Sequence, residues 1–255
     1  MKIAILGFGV VGSGVAEVLN QNRSSIAKKA NEEIELARIL EIKQVGENPF
    51  SKYITNDPEA IFGDESISII AETIGGTGFA YEYTKRALMS GKHVVTSNKE
   101  LVAGKGPELL ALAKKNQRNY LFEASVGGGI PIIRPLEQCL AANEISMVAG
   151  ILNGTTNYIL TKMRDQDLEF ETALKQAREN GYAEADPAED IRGFDTRRKI
   201  AILSSIAFGR FVDSEKIPVK GIEEIDIYDM AYSKSLNTRI KLIGLSRRLL
   251  SLIHI

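Results

Sequence analysis

Tryptophan is absent from these 255 residues, cysteine occurs once, at Cys139, and histidine twice, at His93 and His254. One cysteine excludes an internal disulfide and a cysteine-based metal cluster. Its neighbours Leu136 and Leu140 place it on the apolar side of a helix, as core. With so little histidine, proton transfer falls to Lys, Asp or Glu. Neither sign of charge dominates, since 32 Lys and Arg stand against 33 Asp and Glu. No global field therefore points to nucleic acid or a membrane surface. No apolar run approaches the roughly 20 residues that a membrane span needs. Met1 leads directly into a strand, which leaves no room for a signal peptide, and a cytoplasmic setting is expected. With 44% hydrophobic and 25% charged residues, the composition is that of a globular protein.

What is present is organised around residues 2–15, KIAILGFGVVGSGV. Ile3, Ala4, Ile5 and Leu6 form an apolar run too short for a helix and suited to a strand buried on both faces. Gly7, Gly9 and Gly12 follow in G-x-G-x-x-G spacing, and Val11, Val15 and Leu19 continue with helical period. Gly7 permits the tight turn, Gly9 lets backbone approach a pyrophosphate, and Gly12 lets the helix pack on the strand. Phosphates would sit at the helix N-terminus, where free N–H groups and the dipole favour anions. Spaced glycines alone also mark ordinary turns. Between a strand and a helix they mark a dinucleotide site, formed by Gly7, Phe8, Gly9, Val10, Val11 and Gly12.

Strands are expected at 34–40, 53–55, 68–71, 93–96 and 120–122, with helices at 81–89 and 109–115 and one begun by Pro58 under an Asp57 cap. This alternation implies an α/β protein with a doubly wound, Rossmann-type parallel sheet. Ligands in such sheets bind beyond the carboxyl ends of the strands. Thr73, Lys99 and Glu123 fall there, although Lys99 also reads as a plain surface lysine. Glu41 ends the second strand, where an acid accepts from the ribose 2′-hydroxyl, with Arg38 and Lys43 nearby. A solvated strand end is the alternative.

The run Glu123-Ala-Ser-Val-Gly-Gly-Gly-Ile-Pro131 can aim several carbonyls at one point, which suits a hard cation. It can equally be a hinge between two domains. Beyond it, 145–152 reads as a strand and 169–180 as a helix stopped by Gly181. Glu184, Asp186, Glu189, Asp190 and Asp195 then crowd into twelve residues ahead of a helix over 195–208. On its wheel Asp195, Lys199, Ile202 and Ile206 lie within about 60° of one another, with Arg197 and Ser204 opposite. Two charges thus continue the apolar stripe. Such a pair costs desolvation, which points to a purpose rather than to surface decoration.

Taken together, GFGVVGSGV, ETIGG, VVTSNKELVA, FEASVGGGIPIIRPL, GILNGTTNYIL, GYAEADPAEDIRGFD and RKIAIL resemble the homoserine dehydrogenase family, in its order and spacing, from Lys2 to about Leu245. The resemblance implies NAD(P)-dependent interconversion of L-homoserine and L-aspartate 4-semialdehyde, on the route to threonine and methionine. It implies Lys199 as proton donor, Asp195 and Asp190 as acids near the substrate, and Glu184 as ligand of the substrate amino group. Lys99 would lie between cofactor and substrate, with Gly154, Thr155 and Tyr182 lining the pocket. Glu123, Val126, Gly128 and Ile130 match a sodium site, mainly through backbone oxygens. A homodimer is implied, with the second domain's sheet as interface. Two other readings stay open, a non-catalytic NAD(P)-binding sensor and a dehydrogenase of another small amino acid such as aspartate.

The domains are expected at 1–130 for the nucleotide, 131–246 for substrate and dimerisation, and 247–255 as an atypical tail. The family's chain returns to the first domain through a Gly-rich motif and Pro-Thr. This sequence stops at Ile255 without it and without a regulatory domain, and RRLLSLIHI resembles nothing in the family. A truncated chain, poorly soluble or inactive, is therefore expected. Leu249, Leu250, Leu252, Ile253 and Ile255 would make its tail sticky.

Overall fold

The computed structural model describes residues 1–249; the tail residues from Leu250 onward, His254 included, lie outside the described residues. The chain divides into two compact units, Met1–Ile132 and a second that begins at Ile133.

The first unit runs β1 (Lys2–Leu6), α1 (Val10–Gln21), α2 (Arg23–Ala30), β2 (Glu35–Leu40), β3 (Ile54–Thr55), α3 (Glu59–Phe62), β4 (Ile67–Glu72), α4 (Gly78–Met89), β5 (His93–Thr96), α5 (Lys99–Lys115), β6 (Tyr120–Leu121) and α6 (Ala124–Gly127). The six strands form one parallel sheet in the order β3-β2-β1-β4-β5-β6. This is the doubly wound Rossmann-type arrangement, with its switch point between β1 and β4. Ile3, Ala4, Ile5 and Leu6 are all buried, as a central strand covered on both faces requires. Ile5 packs with Ala16 of α1, Ile39 of β2 and Ala71 of β4. Asp57 accepts a bond from the Glu59 N–H at 2.9 Å and so supports the start of α3.

Two expectations fail here. The helix expected at 109–115 starts ten residues earlier, at Lys99, because the Asn98 side chain accepts from the Leu101 N–H and caps it. Gly104, Gly106 and Pro107 argue against helix by propensity, but burial of Leu101, Val102, Ala103 and Leu109 overrides them. Cys139 is exposed, not core. It ends a single five-residue π-helical turn, Pro135–Cys139, too short to present an apolar face.

The second unit contains β7 (Met147–Gly150), α7 (Gly154–Gln166), α8 (Phe170–Glu179), α9 (Ala188–Ile191), α10 (Phe194–Phe208), α11 (Ile227–Ser235) and β8 (Gly244–Arg247). β7 and β8 pair antiparallel, with Met147 opposite Arg247. The Arg248 N–H continues the ladder onto the Ser146 carbonyl at 2.8 Å. Ile159, Leu160 and Met163 of α7 form a core with Ala173, Leu174 and Ala177 of α8 and Met230 of α11.

α10 differs from its wheel. Ile200, Ala201, Ile202 and Leu203 are consecutive and all buried, which at 100° per residue covers the whole circumference. Ser204, placed by the wheel opposite the apolar stripe, is fully buried. The helix is enclosed by α9, β7 and β8, so no wet face exists for the stripe to be contrasted with. Asp195 is buried all the same and Lys199 partly so, but for that tertiary reason.

Candidate active site

In the first unit a cleft of about 600 Å³ opens beyond the carboxyl ends of β1, β2 and β4, lined by Gly7, Phe8, Gly9, Glu41 and Thr73 among others. Gly7 takes φ +93°, and a Cβ there would lie 3.0 Å from the Thr73 carbonyl. A Cβ on Gly12 would lie 2.0 Å from the Gly7 carbonyl, so only glycine lets α1 come this close. Gly9 is the opposite case. Nothing stands within 4 Å of where its Cβ would be, and backbone there borders open space. The Thr73 hydroxyl lies 2.9 Å from the Gly7 carbonyl and 3.0 Å from that of Leu6, which clamps the loop.

α1 has no side-chain cap and no acid in its first turn. Its leading N–H groups and dipole therefore remain available to an anion. Val10 and Val11 of that turn are exposed and, like Gly12, do not line the cleft.

Glu41 reaches across from the end of β2. One carboxylate oxygen accepts from the Phe8 N–H at 2.8 Å and the other from the Lys43 N–H at 2.9 Å. Partial burial pushes its carboxyl up, but the N–H groups of Lys43, Phe8 and Ile42 outweigh this and hold it below the ordinary carboxylate range. Arg38 folds onto its own strand, donating to the Ala37 carbonyl, and is not among the cleft residues. Ile42, Phe79 and Tyr83 line the cleft without having been picked out from sequence. The i, i+4 spacing of the two aromatics on α4, whose rings stack at 5.9 Å, was the available signal.

Lys99 is the first residue of α5, half-buried, at the carboxyl end of β5. Its surroundings are held by a buried chain of bonds. Glu72, wholly buried at the end of β4, accepts from the Thr96 hydroxyl at 2.5 Å and the Ile74 N–H at 2.8 Å. Thr96 in turn accepts from the Asn98 N–H, and Asn98 donates to the Gly76 carbonyl at 2.7 Å. His93 lies at the other end of β5, where its Nδ1 accepts from the Asn119 N–H.

The glycine-rich run is a helical turn, α6, followed by Gly128 at φ +58°. A Glu123 carboxylate oxygen accepts from the Ile132 N–H at 2.6 Å and closes the loop on itself.

In the second unit the α10 lysine meets the β7–α7 junction. Lys199 Nζ lies 2.8 Å from Asp195 Oδ2 and donates to the Leu152 carbonyl at 3.0 Å. An ammonium carries three N–H groups, so one is left without a partner among the described residues. The Asn153 amide donates to Asp190 at 2.7 Å and to Asp195 Oδ2 at 2.9 Å. Asp190, Asp195 and Lys199 are thus brought together. Asn153, which gathers them, was missed in the sequence, although an Asn between a strand and a helix is a standard N-cap signal.

Gly154 and Thr155 open α7 beside this group. The Thr155 hydroxyl donates to the Tyr182 carbonyl at 2.8 Å, and the exposed Tyr182 ring stacks on Tyr158 at 4.3 Å. Glu184 is exposed and forms no hydrogen bond or ion pair with the described residues. Its carboxylate is open to solvent rather than tied to the Lys199 group.

Comparison with known proteins agrees with this division. The family described as "Homoserine dehydrogenase, NAD binding domain" matches residues 7–123, and "Homoserine dehydrogenase" matches residues 131–254. A homoserine dehydrogenase from Neisseria gonorrhoeae is 40% identical over 250 residues, covering 97% of this chain and 58% of that protein. A homoserine dehydrogenase structure from Thiobacillus denitrificans superposes with a TM-score of 0.91 at 41% identity, covering 98% of this chain and 58% of that one. A hyperthermophilic archaeal homoserine dehydrogenase in complex with NADPH matches at TM-score 0.76 and 26% identity, over 99% of this chain and 83% of that one. This chain thus spans rather more than half the length of the first two.

Proposed function

This chain belongs to the homoserine dehydrogenase family, and from that premise we propose that it interconverts L-homoserine and L-aspartate 4-semialdehyde with NAD(P), Lys199 giving and taking the proton. The observation that carries the reading is the Lys199 ammonium, anchored by Asp195 and the Leu152 carbonyl with one N–H left over.

The cleft of the first unit fits the dinucleotide, because the space beside Gly9 is the cradle a Cβ would fill. Gly7, Phe8, Gly9 and Thr73 would border it, with Val10 and Val11 N–H groups at the phosphates and Glu41 at the ribose. A bound nicotinamide cofactor supplies or accepts the hydride. Reduction of an aldehyde leaves negative charge on the carbonyl oxygen, and Lys199 would stabilise that charge through its third N–H and then protonate it. In the reverse direction the same amine takes the hydroxyl proton. Asp195 keeps the ammonium oriented.

The exposed Glu184 carboxylate would seat the substrate ammonium, with Asp190, Gly154, Thr155 and Tyr182 lining that pocket of the second unit, and Lys99 of the first unit would serve the cofactor. Oxygens of Glu123, Val126, Gly128 and Ile130 would supply the hard donors that suit Na⁺. The Glu123 carboxylate is already steered by the Ile132 N–H. A homodimer and a place on the route to threonine and methionine, in the cytoplasm, complete the proposal.

The test is homoserine-dependent formation of NADH or NADPH, followed by nicotinamide absorbance with aspartate as the control substrate. Turnover with aspartate but not homoserine, or tight NAD(P)H binding without any turnover, overturns the reading.

A further inference from the structure

Asn153 is 7% exposed and its side chain is saturated. Its two N–H groups go to Asp190 Oδ1 and Asp195 Oδ2, and its oxygen accepts from the Thr156 N–H at 2.8 Å and hydroxyl at 3.0 Å. The oxygen end is an ordinary N-cap. The nitrogen end is not needed for capping, and it bridges two carboxylates held by different elements, α9 and α10. The preceding residue, Leu152, supplies the carbonyl that receives a Lys199 N–H. One dipeptide therefore holds both the lysine and its carboxylate.

We propose that Asn153 is the positioning residue of the acid–base group. It holds Asp190 and Asp195 at bonding distance from one donor group, and it fills a lone pair on Asp195 Oδ2. Lys199 then meets that oxygen in one direction only, with its remaining N–H directed away. This role rests on the reading of Lys199 as the proton donor.

The Asn153 amide bonds Asp190 on α9 and Asp195 on α10, and Lys199 of α10 meets the same Asp195 oxygen. The first turn of α7 and the whole of β7 carry no ionisable side chain, and Arg247 of β8 stands at the far end of the ladder, opposite Met147.

Two substitutions separate capping from bridging. Asn153→Asp and Asn153→Ser both retain an N-cap oxygen, so the start of α7 survives. Both lose the two N–H donors. Asn153→Ser should lower kcat about tenfold or more across the pH range, since small misplacement of a reacting group has effects of that order, with cofactor KM nearly unchanged. In Asn153→Asp three carboxylates crowd together, and like charges raise a carboxyl pKa. Above the raised value no donor bridges Asp190 and Asp195; below it the acquired proton restores one bond. Its kcat deficit should therefore be largest at high pH and narrow as pH falls.

The full chain would be assayed with homoserine, each variant alone and in a Lys199→Ala background. A residue acting through Lys199 adds no further loss once Lys199 is gone. Overturning results are a kcat within about twofold of the parent, an Asn153→Asp deficit flat in pH, or a loss that adds to that of Lys199→Ala. If Lys199→Ala itself retains the parent rate, the proton-donor reading has failed instead, whatever the Asn153 variants do.

Discussion

Asp195 and Lys199 stand one turn apart on α10 with 2.8 Å between Oδ2 and Nζ, yet the carboxylate side chain is 2% exposed and the lysine 16%. The acid is sealed in while the base reaches outward. A pair formed for stability alone has no need of this asymmetry, and replacing such pairs with apolar groups is often neutral. A proton donor needs both an anchor and an opening.

Lys199→Ala should therefore lower turnover by a hundredfold or more, in the roughly 10²–10⁴ range typical of general acids. NAD(P)H binding, followed by nicotinamide fluorescence, should stay near that of the parent. A variant that keeps more than about a tenth of the parent rate would falsify the assignment.

Glu184→Gln should raise KM for homoserine far more than KM for the cofactor. An exposed carboxylate with no partner among the described residues can form a charge-assisted bond to the substrate ammonium, which the amide cannot replace in full. Equal rises in the two constants would point to a folding defect.

The two glycines of the fingerprint should behave oppositely. Gly9→Ala puts a methyl into open space, so melting temperature should hold while NAD(P)H binding weakens. Gly12→Ala drives a Cβ to 2.0 Å from the Gly7 carbonyl, and either the helix or the loop must shift. Calorimetry with a binding titration on each variant checks both halves. Parallel loss of stability in the two would contradict the geometry.

Glu41 makes two predictions with one side chain. Its charge repels a 2′-phosphate, so kcat/KM should favour NAD over NADP, and Glu41→Arg should shift the ratio toward NADP. A clear NADP preference in the parent would refute this.

The second concerns pH. The folded-state carboxyl is held below its ordinary value of 4.5, so its stabilising contribution is complete above that value and disappears as pH falls through the lowered one. The melting-temperature gap between the parent and Glu41→Gln should be widest near neutrality and close in acid. A gap that stays constant with pH would show that the two N–H bonds do not depend on the charge.

The sequence by itself determined the strands of the first unit and the glycine turn between β1 and α1. A short apolar run, three glycines and a helical period are local signals, and each describes backbone within a few residues of itself. The i, i+4 relation of Asp195 and Lys199 is local in the same sense, as was the match to ordered motifs from the fingerprint to RKIAIL. Tertiary structure decided what surrounds them. The wheel of α10 assumed one buried side, but neighbours enclose the helix, and burial is set by what packs on it. Cys139 lost its expected helix because one π-helical turn has no second turn to shelter it. The true start of α5 depended on an Asn98 cap that burial of Leu101 and Val102 supports against three unfavourable residues. Asn153 reaches Asp190 and Asp195 across 37 and 42 residues of chain. No periodicity spans such a separation, because hydrogen bonds between distant segments exist only once the fold has brought their donors and acceptors together.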